Sequence, residues 1–410
     1  MFDLDKWQEI FSTISKNKLR SFLTGFSVAW GIFMLIILLG SGNGMQNGTQ
    51  KSFSGDAVNA IWINPGKTAL PYQGYKPGRD IIFQNSDLED IAQNIEGIEN
   101  LSARKYLFGV GQVTYKNKTG NFDVLGCKPG EKEAEQIHLL GGRFINLLDI
   151  NEARKVACLG KDMKIELFGD ADPIGEYINI NGVPFKVVGW YMDEGGERDV
   201  RRTWVPLSTH QRVFGTPNRI DRMVMTTGDA SVEEANAIVD KLRNRLSNRL
   251  NFDPSDQRAI YIRNQAENFQ KFDQLFTGIK WFVVFIGLGT IFAGVVGVSN
   301  IMMIVVKERT KEIGIRKAMG ATSGSIISLI MQESIFITTI AGYIGLTLGV
   351  LLLEFVGNAI EGNQFFQNPE VDLPTAIYAT LALIIAGSIA GLIPALRASK
   401  IEPVVALRED

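Results

Sequence analysis

The sequence has 410 residues, 45% hydrophobic and 21% charged, with a formal net charge of −2. That balance argues against nucleic acid held by bulk electrostatics. Its two histidines, His138 and His210, lack neighbouring ligand patterns and are too few for a His-rich metal site. The overall averages are those of a water-soluble protein, yet the apolar residues are concentrated in four runs: Ser21–Gly42, Trp281–Val306, Ser325–Leu353 and Leu373–Leu396. Each reaches the roughly 18 apolar residues that a membrane-spanning helix needs. They predict an α+β membrane protein with four transmembrane helices, and a large extracytoplasmic domain between the first and second.

In chain order, residues 1–20 read as a cytoplasmic amphipathic helix. Leu4, Trp7, Phe11 and Ile14 recur at three- and four-residue spacing, and Trp7 suits a headgroup boundary. The first span, 21–42, continues into a polar Gly/Asn linker and lacks a small-x-small cleavage site, so it reads as an uncleaved anchor.

The extracytoplasmic domain, 43–278, reads as α/β. A strand over Ala60–Asn64 precedes a capping box, Ser86-x-x-Glu89, whose helix carries Leu88, Ile91 and Ile95 on one face. Strands are expected around Leu101–Tyr115 and Asn121–Leu125. A second capping box, Ser231-x-x-Glu234, opens a helix with Ile238, Leu242, Leu246 and Leu250 as its stripe. Strands at Arg222–Thr226 and Ala259–Ile262 flank it. The middle, about 126–217, shows strands near Lys155–Leu159, Tyr177–Ile180, Phe185–Tyr191 and Thr203–Val205. The expectation is a β-α-β pair split in sequence by a β-rich inserted lobe. Cys127 and Cys158 fall in this domain, where oxidation is allowed. Val156-Ala157-Cys158-Leu159 nevertheless reads as a buried strand, which favours free thiols.

A stalk helix is expected over 264–279. Phe269, Phe272, Phe276 and Ile279 recur at helical spacing around Gln270, and no proline interrupts the chain between Pro254 and Pro369. The stalk leads without a break into the second span, 280–306. One helix from Asn264 to Val306 would be about 65 Å long at about 1.5 Å per residue. The hydrocarbon core takes only about 30 Å of that.

The segment 307–324 carries seven charges within eleven positions, Lys307 to Lys317, five of them basic. The external loop 354–372 has four acids and no Lys or Arg. Basic residues cluster again before the first span and after the fourth, 373–396. These flanks place both termini and segment 307–324 on the cytoplasmic side. Within that segment Glu312 stands four residues before Arg316, a favourable helical pair, and Ile315 and Met319 share a face. The third span, 325–353, holds Glu333 in its first turns. A structural or coupling role is expected there in preference to a proton relay. Small residues at four-residue spacing mark helix packing in every span: Gly25 and Ala29; Gly289, Ala293 and Gly297; Ala341, Gly345 and Gly349; Gly387 and Gly391.

The string ERTKEIGIRKAMGA, Glu308 to Ala321, resembles the cytoplasmic segment of MacB-like ABC permeases. That group includes macrolide exporters, lipoprotein-releasing permeases and the cell-division permease. Leu140-Gly141-Gly142-Arg143-Phe144, Asp172-Pro173-Ile174-Gly175 and Phe185-Lys186-Val187-Val188-Gly189 resemble the group's extracytoplasmic domain. The cytoplasmic C-terminal segment, 397–410, resembles its closing signature. The resemblance implies a porter-like split part with an inserted lobe, a bacterial inner-membrane location and a dimer, homo- or heteromeric. It implies a cytoplasmic ABC ATPase subunit as partner, contacting Glu308, Arg309, Glu312, Ile315, Arg316 and Met319. ATP and Mg would be bound by that subunit, and none is expected in this chain. A periplasmic adaptor and an outer-membrane channel are further implied partners if the chain serves export. Mechanical signalling to a cell-wall hydrolase and lipoprotein extraction are the alternatives. No phosphate loop is present: Gly66-Lys67-Thr68 has the tail of G-x-x-x-x-G-K-S/T, but Ile61 stands where the first glycine belongs. The chain is therefore expected not to be an enzyme.

Overall fold

The four apolar runs form four long helices in the computed structural model, which describes residues 18–53, 55–107, 109, 111–193, 195–196, 198–360, 366–371 and 373–403. The expected amphipathic helix at 1–20 lies almost wholly outside the described residues, as do 404–410. The described chain divides into two units, one of residues 1–49 and 275–410, the other of residues 50–274.

In the first unit the helices are Lys18–Phe53, Gln265–Glu308 (whose first turns belong to the other unit), Ser323–Ala359 and Leu373–Ser399. All four are long and apolar enough to cross a membrane. The first is longer than expected, because the Gly/Asn stretch after Gly42 stays helical to Phe53. Asn and Gly are weak helix formers, but here their polar groups have a second use. The side-chain amides of Asn43 and Asn47 donate to the carbonyls of Glu370 (3.1 Å) and Asn368 (3.2 Å). The Gln367 N–H donates to the Gly44 carbonyl (3.0 Å). The end of the first helix is thereby pinned to the loop between the third and fourth spans.

The second unit carries the strands β1 (Ala60–Pro65), β2 (Phe83–Gln84), β3 (Glu99–Tyr106), β4 (Gln112–Tyr115), β5 (Lys118–Asn121), β6 (Asp123–Cys127), β7 (His138–Gly142) and β8 (Val156–Gly160). They are followed by β9 (Tyr177–Ile180), β10 (Val183–Met192), β11 (Arg202–Pro206), β12 (Arg219–Ile220), β13 (Arg222–Thr226) and β14 (Ile260–Asn264). β2 and β12 pair with each other. The other twelve form one sheet in the order β14-β1-β13-β3-β6-β11-β8-β10-β9-β4-β5, with β7 beside β10.

At one end of this sheet β14, β1, β13 and β3 are all antiparallel neighbours. The helices Asn85–Asn94 and Val232–Leu250 join β1 to β3 and β13 to β14. This is the split β-α-β pair of a ferredoxin-like unit, with everything from β4 to β12 inserted between its halves. Leu88 and Ile91 from one helix and Ile238, Leu242 and Leu246 from the other bury against Ile61, Ile63, Ala103 and Met223. The second helix starts as its sequence indicates: Glu234 N–H donates to Ser231 Oγ (3.2 Å), and Ser231 N–H donates back to Glu234 (2.8 Å). The first helix is capped two residues earlier than Ser86. Gln84 is its N-cap, and the Gln84 N–H donates to Asp87 (2.7 Å).

The inserted part begins before residue 126. The expected single run Leu101–Tyr115 is two strands, and the hairpin β4–β5 turns at Lys116, whose φ is +50°. Through β4 the hairpin pairs with β9, deep in the lobe. Gly109 and Gly111, between the two strands, are the local signal of the break. The lobe's own core gathers Phe122, Leu159, Met163, Ile178, Phe185 and Val187. Cys127 and Cys158 lie on β6 and β8, either side of β11, as buried free thiols. Burial pushes both well above the ordinary thiol range.

Candidate functional site

The charged segment between the second and third spans is assembled from three helix ends. The helix Gln265–Glu308 stops at Arg309, which N-caps the short helix Thr310–Ala318. That helix closes on Gly320, at φ +98°. The Ala321 N–H donates to the Arg316 carbonyl and the Gly320 N–H to the Lys317 carbonyl, both at 3.0 Å. This is the bond pattern of a Schellman stop, where glycine takes the left-handed position without steric cost. Thr322 then caps the third span by accepting from the Ser325 N–H (3.3 Å). Met319-Gly320-Ala321-Thr322 therefore reads as a stop followed by a restart.

Four charged side chains lock these ends together. Arg309 donates to Glu312 through Nε (3.0 Å) and Nη2 (3.2 Å), and to Glu333 through Nη1 (3.2 Å). Arg316 also donates to Glu312 (2.7 Å). Glu333, the carboxylate inside the third apolar run, is buried at 4% exposure. A charge at such a place is costly unless it is paired, and Arg309, twenty-four positions away, supplies the partner. The hydrogen bond from Arg309 holds the Glu312 carboxyl below its ordinary range, against burial and with help from the charges of Arg309 and Arg316. Lys317 reaches across to the end of the fourth span, donating to the carbonyls of Ser399 (2.7 Å) and Ile401 (2.9 Å). Carbonyls left open at a helix C-terminus are natural acceptors for a cation.

The residues expected at an ATPase contact thus fall into two sets. Arg309, Glu312 and Arg316 satisfy one another and Glu333. Ile315 and Met319 point outward at 46% and 77% exposure, and Glu308 is exposed as well. Ile313, on the opposite face, is buried against Met302, Val306 and Ile326. Beside Met319 lies a groove of about 390 Å³, bounded by Arg316, Ser325, Leu329 and Gln332. Sequence reading missed the Glu333–Arg309 and Lys317–Ser399 pairings. No short-range pattern connects positions 24 and 82 residues apart.

The packing glycines also divide. A Cβ on Gly345 would meet the Ala29 carbonyl oxygen at 2.2 Å, and one on Gly349 the Ile36 side chain at 2.8 Å. On Gly387 and Gly391 it would meet Thr338 and Ser334 at 2.1 and 2.7 Å. These positions hold the first, third and fourth spans at close approach. Gly289 has nothing within 4 Å, Gly297 only Ser27 at 4.0 Å, and Ala293 is exposed. On the second span the contact runs through Gly287, against Leu35, and Gly294, against Val28. Two small-residue faces lie side by side on that helix, so spacing could not say which one meets the first span.

The stalk residues lie on the unbroken 44-residue helix Gln265–Glu308, about 66 Å long at about 1.5 Å per residue. Gln270 and Phe272 are exposed and Phe276 is buried. Asn264 caps its start, accepting from the Ala266 N–H (3.1 Å). Among the described residues no group of three His, Cys, Asp or Glu side chains is placed to hold a metal ion.

Residues 21–242 match the family model of the MacB-like periplasmic core domain, and residues 284–403 that of the FtsX-like permease C-terminal region. The macrolide export ATP-binding/permease protein MacB of Bdellovibrio bacteriovorus is 30% identical over 405 residues, covering 98% of this chain and 61% of that protein. The pyoverdine export ATP-binding/permease protein PvdT of Pseudomonas aeruginosa is 28% identical, covering 95% of this chain and 56% of its own length. The chain thus spans about 61% of the first of these relatives. The ABC transporter permease YvrN of Bacillus subtilis is 25% identical over 416 residues and matches over 98% of both chains. Among solved structures, the periplasmic region of MacB from Actinobacillus actinomycetemcomitans aligns with a TM-score of 0.44 and 19% identity, over 54% of this chain and 95% of that one.

Proposed function

The chain belongs to the family of ABC transporter permeases that join a MacB-like periplasmic core domain to an FtsX-like permease C-terminal region, and from that premise we propose that it turns ATP binding and hydrolysis by a separate ATPase subunit into movement of its external domain. The observation that carries this reading is the split within segment 307–324. Its ion pairs are spent internally on holding the short helix against the second and third spans, while Ile315 and Met319 stay exposed, Met319 beside a groove. A rigidly anchored helix with an apolar exposed face is suited to receiving a partner and passing on its displacement. The helix Gln265–Glu308 leads from that anchor through the second span and on to β14.

In this reading the segment faces the cytoplasm, both termini lie inside and the domain 50–274 lies in the periplasm of a bacterial inner membrane. ATP and Mg are bound by the ATPase, consistent with the lack of a phosphate loop in these 410 residues. Two permeases assemble per transporter. Substrate, a drug, a peptide or another small molecule, is handled on the outer side and handed to an adaptor and an outer-membrane channel. The relatives named for macrolide and pyoverdine export favour efflux over signalling.

The test is the pair Ile315→Asp and Met319→Asp, made together. Neither residue belongs to the ion network, so the fold should hold. Co-purification of the ATPase with the permease should be lost. Retained co-purification with normal ATP turnover would place the docking surface elsewhere.

A further inference from the structure

A second cluster of charges lies in the external unit, on the side of the ferredoxin-like sheet away from its two helices. A cavity of about 210 Å³ opens there, lined among others by Asp56, Trp62, Asp193, Arg222 and Arg263. It lies where β1, β13 and β14 meet the loop after β10, and no reading of the sequence singled it out.

Among the described residues two polar groups there are buried without a partner, the Trp62 indole N–H and Asp193 Oδ2. The Trp62 side chain is fully buried, and its indole N–H has no partner. Three guanidinium groups gather on that ring, with Arg104, Arg222 and Arg263 carbons 4.6, 5.5 and 5.8 Å from the ring centroid. Two of the three have carboxylates. Arg104 is paired with Glu131 and Glu135, and Arg263 with Asp56 (2.9 Å). Arg222 is half-buried, and its hydrogen bond runs from Nε to the Asn64 side-chain oxygen (2.6 Å), a neutral group. Burial, together with the nearby Arg104 and Arg263 cations, lowers the affinity of Arg222 for its proton. Even a half-buried guanidinium facing like charges gains from an anion that answers it.

The described acids of the cavity do not pair with Arg222. Glu135 is occupied by Arg104 and Arg202, and Asp199 by Arg202. Asp193 accepts from the Gly195 N–H through Oδ1 (2.8 Å), while its Oδ2 is buried without a partner. Burial and the neighbouring Glu135 push its carboxyl up to about 7, so near neutrality half of it is uncharged and able to donate.

We propose that this cavity binds a compact oxyanionic group, a carboxylate or a phosphate, received by Arg222, Arg263 and the Trp62 indole N–H. Arginine's fork of N–H donors matches the two oxygens of either group. The volume sets the scale. Pockets for drug-sized molecules run to about 300–1,000 Å³, so this one takes a single headgroup or a small free acid. The walls carry four arginines and four carboxyl groups, and three of those carboxyls, Asp56, Glu135 and Asp199, are already paired with arginines. The site does not depend on the transport reading, since it lies within the external unit.

The full-length chain in detergent, titrated by calorimetry with inorganic phosphate and with acetate against chloride at matched ionic strength, tests this. Saturable heat is expected from at least one of the two, and which one names the chemistry. Arg222→Gln should weaken that binding about tenfold or more, the loss expected for a buried charge-assisted pair. Asp193→Asn should leave it within about twofold, because a neutral donor at 193 is what the anion meets. Lys67→Gln, on an exposed lysine elsewhere in the unit, should change nothing. Should Arg222→Gln fail to fold, Arg263→Gln gives a second reading, with weakening of similar sign. Phosphate and acetate both binding no better than chloride would overturn the proposal. Undiminished binding in Arg222→Gln, or loss in Asp193→Asn, would overturn it equally.

Discussion

Two networks built from the same residue types, arginine and glutamate, sit in opposite surroundings. In the external unit Arg104 pairs with Glu131 and Glu135, and Arg202 with Glu135, at side-chain exposures of 4, 0, 7 and 13%. Against the upward push of burial, Arg104 and Arg202 hold the Glu135 carboxyl below its ordinary range. This network joins β3 of the ferredoxin-like part to the lobe strand β11 through one short helix, Glu131–Ala134. In the membrane unit Arg309 and Glu333 are similarly enclosed at 19 and 5%, but Glu312 and Arg316 stand at 44 and 30%. The first network is a strut inside a domain, where no group can leave without exposing a bare charge to a low dielectric. The second lies at a boundary, where water can replace a partner. The difference shows that depth alone separates a fully enclosed network from one partly open to water, though both use the same chemistry.

The largest expected effect attacks the strut. Arg104→Ala should destabilise the external unit by about 3–5 kcal/mol, the cost of leaving the buried Glu131 without its cation while Glu135 keeps only Arg202. A fall in the thermal midpoint of the full chain would show it. A loss under about 1 kcal/mol would remove the distinction between the networks.

Next is the rod that the membrane unit shares with the external one. Gln270→Pro removes a helix hydrogen bond and clashes with the preceding turn, at about 3 kcal/mol. ATPase binding at segment 307–324, far along the helix, should survive, while transport output is lost. Gln270→Ala should leave output unchanged. Equal transport by the two variants would show that the helix carries no motion.

Smaller effects are expected at the joint. Glu333→Gln should cost about 1–2 kcal/mol, since a charge-assisted bond is lost but Arg309 keeps Glu312. Combined with Arg309→Gln in a double-mutant cycle, it should give a coupling energy of about 1 kcal/mol. A value near zero would mean that this pair is as loose as an exposed one.

The effect at Asp193 is set apart by its dependence on pH. Its folded pKa of about 7 lies above the ordinary 3.8, so the folded state binds the proton more tightly. That stability is fully present below pH 3.8 and is lost as pH rises towards about 7. Asp193→Asn should therefore stabilise the chain at pH 8 by up to about 4 kcal/mol and have little effect at pH 4. Midpoints measured across that range would check it, and a gain at pH 4 equal to that at pH 8 would refute the assignment.

Composition, periodicity and local signals were enough to establish the four spans, the capped helix Val232–Leu250, the strands of the split unit and the unbroken helix after Asn264. Each depends on neighbours within a turn or two: an apolar run long enough for lipid, Ser231 three residues before Glu234, no proline from 255 to 368. The Schellman stop at Gly320 is equally local, although the sequence reading did not single it out. What tertiary structure alone decided are pairings across distance. It chose Gly287 and Gly294 over Gly289 and Gly297 as the face that meets the first span. It sent the hairpin β4–β5 to the far side of the lobe. It turned Arg309 and Arg316 inward onto acids and left Ile315 and Met319 outside. It brought Trp62, Arg222 and Arg263, from three strands, around one cavity. The physical reason is common to all of these. A helix or strand pattern shows which faces are apolar, small or charged, but which face meets which neighbour is settled by packing the whole chain, where contacts hundreds of residues apart compete on equal terms with local ones.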